Sequence, residues 1–167
     1  MYTDMRLGLI AIALVGGCAI FSPIPDLRTP SDRARELAPK CSLLPSGESG
    51  AALARTLVES VEPDYVFMYS GPVDRQPRLR GARLHLRPTA GVSRESLQRS
   101  LECHQARALL GQTGVLADDD PFVLPDVWLD ITADSAGDGF VVFVRTDSLP
   151  DARRVLERAR RFAAKGS

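Results

Sequence analysis

The chain predicts an α+β fold, a two-layer sandwich. In it an antiparallel or mixed sheet of about four strands is covered on one face by about three helices. Three observations predict it. Ala152, Val155, Leu156, Ala159, Phe162 and Ala163 trace one stripe at helical spacing, with Arg153, Arg154, Arg158 and Arg161 around the rest. Two pairs of short strand-like runs flank a second helical pattern, which places hairpins between helices. The composition, 44% hydrophobic and 25% charged over 167 residues, is that of one ordinary globular domain plus something small.

The elements follow in order. Residues 18–45 carry Pro23, Pro25, Pro30, Pro39 and Pro45, which remove backbone donors and fix φ, so this span reads as a Pro-rich tether. Within it Ser31–Leu37 could form two helical turns. The domain proper spans 46–167. Leu53, Ala54, Leu57, Val58 and Val61 predict an amphipathic helix over Gly50–Val61, stopped before Pro63. Tyr65–Tyr69 is aromatic and β-branched and predicts a strand. Residues 73–80 are polar, contain Pro77 and read as a loop. Ala82, Leu84 and Leu86 alternate with Arg83, His85 and Arg87, a half-buried strand with a wet basic face. Ser93 caps a helix over Arg94–Leu110 that Gly111 ends.

Gln112–Pro125 reads as loop, with Asp118–Asp120 as a solvated acidic run lacking calcium-loop spacing. Val127, Leu129 and Ile131 share one face of a strand over Val127–Ala133. Asp134–Gly139 is a turn, and Phe140–Val144 a central strand. Ser148 with Asp151 makes a capping box for the last helix, with Pro150 in its first turn. The order resembles that of BON domains, a likeness of element order alone that implies no function.

The first residues are an address. Leu7–Val15 is a nine-residue apolar run, the length of a signal-peptide core and too short to span a bilayer. Val15-Gly16-Gly17-Cys18 follows, and it resembles the lipobox of bacterial lipoproteins. The resemblance covers residues 1–18. It implies a signal peptide over 1–17, cleavage before Cys18, a diacylglyceryl group on the Cys18 thiol and acylation of the new amino terminus. Such an anchor is effectively permanent. Ala19 after the cysteine implies sorting to the outer membrane, facing the periplasm. The membrane, through lipidated Cys18, is then one partner, with an envelope protein or an anionic envelope surface as the other.

The charges bound the rest. Twenty-one bases balance twenty-one acids, which excludes a general nucleic-acid binder. Arg75, Arg78, Arg80, Arg83 and Arg87 nevertheless cluster as a candidate basic surface. Cys41 and Cys103 remain once Cys18 is lipidated. Three fates are open to them: a disulfide closing a loop of roughly 60 residues and worth roughly 3–4 kcal/mol, two buried thiols, or ligation and catalysis. Cys103 and His104 form a candidate polar site, since His104 lies on an apolar helix face and needs a partner there.

No C-x-x-C, H-x-x-x-H, nucleophile elbow or glycine-rich phosphate loop is present, so the sequence gives no ground to expect a catalytic residue, metal site or cofactor. The reading is a non-enzymatic envelope lipoprotein with a structural or protein-binding role. The alternative is a metal- or redox-active periplasmic protein using Cys103 with His104.

Overall fold

Helical spacing and capping chemistry set the helices of this computed structural model, which describes residues 28–42, 50–69, 75–114 and 116–166. The signal segment and Cys18 lie outside the described residues. Thr29 caps α1 (Pro30–Cys41): its side chain accepts from the Asp32 N–H while Asp32 answers the Thr29 N–H, and Pro30 occupies the first turn. Within the span expected as a tether, residues 30–41 are thus folded, and the two expected turns are three. Burial of Ala34 and Cys41 on α1 explains the extension.

α2 (Gly50–Leu57) is shorter than expected. Residues 58–61 open β1 (Val58–Tyr69), which pairs antiparallel with β2 (Arg75–Leu86). The helical spacing of Val58 and Val61 also suits a strand, and both residues are β-branched. Pairing of Val58 with Leu86 and Val61 with Leu84 decides between the two. Pro63 therefore stops no helix; it sits in an edge strand, where a missing donor is tolerated.

The expected loop over 73–80 is also corrected. Residues from Arg75 onward are strand, and Pro77 lies opposite Phe67. This stretch of β2 pairs with β1 alone, because β4 reaches only as far as Gly81. Proline survives there because no second neighbour asks for its N–H.

α3 (Arg94–Leu109) is capped by Ser93, whose side chain accepts from Ser96 N–H. β3 (Asp130–Ala136) and β4 (Gly139–Arg145) form a hairpin turned by Gly137-Asp138, with Gly137 at φ 61°. Both strands extend into the expected turn. α4 (Leu149–Gly166) buries Ala152, Val155, Ala159 and Phe162, the predicted stripe. The sheet order is β1-β2-β4-β3, antiparallel throughout. This is the expected α+β arrangement of a four-stranded sheet packed against helices.

The core lies between layers. Ala82, Leu84, Val142, Val144, Ile131 and Ala133 face Leu97, Leu101, Val155 and Phe162. Phe122 and Phe162 meet edge to face at 5.6 Å. No helix among the described residues is long and apolar enough to cross a membrane.

Two glutamines on α3 complete the β3 edge. Gln105, wholly buried, donates to the Leu129 carbonyl and accepts from the Leu129 N–H, each at 3.1 Å. Gln98 accepts from the Ala133 N–H at 3.1 Å. These side chains do the work of a neighbouring strand, so the backbone groups they meet are satisfied.

Candidate functional site

α3 presents Cys103 and His104 to different neighbours. Cys103 is bonded to Cys41 of α1 (S–S 2.01 Å, Cα–Cα 5.5 Å), and both are buried. Of the three fates open to the pair, the structure takes the disulfide. Arg107, one turn on from Cys103, donates to the Cys41 carbonyl at 2.9 Å, closing the end of α1.

His104 Nε2 lies 2.6 Å from Asp120 Oδ2, with both side chains about nine-tenths buried. The Asp120 carboxylate also accepts from the Phe122 N–H at 2.9 Å. Arg158 of α4 donates to the Val123 and Asp120 carbonyls at 2.9 and 3.3 Å. His104 and Arg158 thereby clamp one loop between two helices. The buried histidine finds its partner in a carboxylate.

Only Asp118 of the acidic run is exposed, which corrects the expectation of a solvated run for Asp119 and Asp120. Asp119 and Asp120 are buried, as are Pro121, Phe122, Val123 and Leu124. The apolar run Phe122–Leu124 carries them inward, and burying a carboxylate requires a partner. Arg55 of α2 reaches Asp119 with two nitrogens at 3.0 and 3.3 Å, and Lys165 of α4 lies 3.2 Å away. Arg55 also stacks over Phe162 at 4.3 Å.

Burial works to raise the Asp119 pKa. Hydrogen bonds from Arg55 and Lys165, with the Arg55 charge, outweigh it and hold the carboxyl below its ordinary value. A lowered folded-state pKa makes this contribution full above the unfolded value near 3.8 and lost as pH falls below it. Urea unfolding followed from pH 5 to pH 3 is expected to show falling stability. In Asp119→Asn the slope over that window should shrink, and stability at neutral pH should drop by about 1–3 kcal/mol. An unchanged slope would remove Asp119 as its source.

Arg80, Arg83 and Arg87, three of the predicted basic residues, have polar partners in the structure. Arg80 donates to the Thr146 carbonyl at 3.1 Å and pairs with Asp147 at 3.0 Å. Arg83 meets Asp64 and Glu62 at 3.6 and 3.8 Å and donates to the Pro63 carbonyl at 3.2 Å. Arg87 donates to the Thr56 carbonyl. Buried Asp64 also binds Arg145 at 2.7 Å, which stacks on Phe143. The face read as wet and basic is largely a neutralised ionic lattice. The Arg75 side chain lies outside the described residues.

What sequence reasoning missed is the β1–β2 ribbon. From Arg75 to Arg80 β2 pairs with β1 and not with β4, and opposite this stretch Tyr65, Phe67 and Met68 are about half exposed. Together with Leu149 of α4 they are the large hydrophobic side chains on the described surface. A cleft of about 490 Å³ opens where ribbon meets α4, lined by Tyr65, Met68, Leu79 and Leu149 with Arg78 and Arg153. Arg78 donates to the Asp147 carbonyl but meets no carboxylate among the described residues, and Arg153 has no partner there. The run Tyr65–Tyr69 was visible as a strand; the exposure of Tyr65, Phe67 and Met68 was not, since apolar strands are usually covered.

Fold and site together define a small disulfide-tied α+β module whose first strand exposes Tyr65, Phe67 and Met68. No protein-family model, curated protein or solved structure matches the chain.

Proposed function

We propose that this chain is an envelope lipoprotein, lipidated at Cys18 and facing the periplasm from the outer membrane. Its α+β domain serves as a structural or protein-binding module. The Cys41–Cys103 disulfide is the observation that carries this reading. Such bonds persist in oxidising compartments. It also uses two of the three cysteines, leaving the one behind Leu7–Val15 and two glycines for lipid.

Arg28, where the described chain starts, is ten chain steps from Cys18, a reach of at most about 36 Å. A lipid on Cys18 would hold the domain close to the bilayer. The half-exposed Tyr65, Phe67 and Met68 support binding over a purely structural role. The alternative role for Cys103 with His104 would lack a thiol, since Cys103 is bridged. Replacing Cys18 with Ser is expected to move the protein from the membrane to the soluble periplasmic fraction. A protein that stays with the membrane would overturn the anchor.

A further inference from the structure

The two edges of the sheet are treated differently. β3 is short and carries Asp130 and Asp134, and α3 supplies Gln98 to its Ala133 N–H and Gln105 to the backbone of Leu129 just before it. Charge and cover of this kind keep an edge from pairing with another chain.

On β1 the first half is guarded in the same way, by Glu59, Glu62 and Pro63. Its second half, Tyr65–Met68, has no charge, no proline, and no strand on its outer side among the described residues. The opposite edge of the ribbon carries Pro77, which has no donor to offer. An added strand therefore has one inviting edge, that of β1.

Charge beside this edge identifies what would be added. Arginines around the sheet are neutralised by carboxylates: Arg80 by Asp147, Arg83 by Glu62 and Asp64, Arg145 by Asp64, and Arg154 by Asp151. Arg78 and Arg153 meet no carboxylate among the described residues, as Arg87, Arg158 and Arg160 do not, but these two line the half-polar cleft beside the ribbon with Tyr65, Met68 and Leu149.

From these observations we infer that β1 binds an extended acidic peptide of a partner protein by strand addition along Tyr65–Met68. Alternate apolar side chains of the peptide enter the cleft against Tyr65, Met68 and Leu149, and its carboxylates meet Arg78 and Arg153. Backbone hydrogen bonds supply affinity, while the apolar side chains and the cations of the cleft select the sequence. This rests on the protein-binding reading above.

The test uses the full-length expressed protein and fluorescein-labelled nonapeptides alternating valine with glutamate, read by anisotropy. The same peptides with lysine for glutamate are the control. Glutamate peptides should bind, lysine peptides at least tenfold more weakly. Arg78→Glu with Arg153→Glu should reverse the preference. Both side chains sit at the surface, and circular dichroism confirms that the variant is folded. Met68→Lys, which plants a charge on the edge, should weaken both peptides.

Equal binding of the two peptide sets, or binding indifferent to the arginine reversal, would overturn the inference and leave a protein-binding role standing. No binding at millimolar peptide, with co-sedimentation on phosphatidylglycerol vesicles lost in the arginine double variant, would overturn both. A dimer seen by sedimentation equilibrium and abolished by Met68→Lys would overturn the inference by giving the edge to a second copy.

Discussion

Replacing Gly81 with Ala is expected to cost about 3–5 kcal/mol, the largest effect expected of an alanine at any described glycine. Two costs combine. Gly81 has φ +149°, a conformation that side-chain-bearing residues rarely adopt. A Cβ there would also stand 1.9 Å from the Val144 carbonyl oxygen, a backbone atom held in the β2–β4 ladder.

The position is the corner of the fold. Gly81 is the last β2 residue paired with β4, and the register of β1 against β2 shifts between Asp64 and Tyr65 beside it. On the ribbon side of this irregularity β2 pairs with β1 alone. Thermal unfolding should fall by on the order of 10 °C. Gly137→Ala is the comparison: its φ is +61° with nothing within 4 Å, so strain alone should cost about 1 kcal/mol. Equal losses at the two sites would show that the carbonyl contact contributes nothing.

Breaking the disulfide is the second large effect. The bond joins residues 62 apart, and the loop it closes constrains the unfolded chain by about 4 kcal/mol. Paired Cys41→Ala and Cys103→Ala substitutions should lower stability by about 2–5 kcal/mol. The loss should concentrate in α1, which holds to α3 by this bond and by the Arg107 contact with Cys41. Hydrogen exchange should therefore report α1 amides opening before those of β2 and β4. The untreated protein should have an intact mass lacking both thiol hydrogens. Titratable thiols at both Cys41 and Cys103, with unchanged stability, would contradict the bridge.

Much of the helical layer was legible because its signals are local. Ser93 before Arg94 and the alanine, valine and phenylalanine stripe of α4 are spaced by the helix itself. The turn between β3 and β4 was legible through Gly137, though its tightness was not. Alternation of Ala82, Leu84 and Leu86 located the buried face of β2. His104 was legible as a histidine in need of a partner, but not its carboxylate, which lies in a loop sixteen residues on.

The misread stretches share a property: each looks locally like something else. Val58 and Val61 suit a helix or a strand, and only Leu84 and Leu86 across the ladder choose. Pro77 normally argues against a strand, and it is tolerated because β2 there has a neighbour on one side alone. Asp119 and Asp120 look like solvated residues until Arg55, Lys165 and His104 arrive from three helices. Desolvation of a carboxylate is offset only by partners that the fold assembles.

By itself, then, the sequence determined the α+β class, the capped helices, the hairpin turn and the neutral charge balance. These depend on residues a few positions apart, where period, cap and turn chemistry act without a fold. The tertiary structure alone decided the Cys41–Cys103 pairing, the burial of Asp119 and Asp120 and the exposure of Tyr65, Phe67 and Met68. Each depends on which distant groups share a neighbourhood: two sulfurs brought together, cations brought to a carboxylate, and a sheet edge with no neighbouring strand among the described residues.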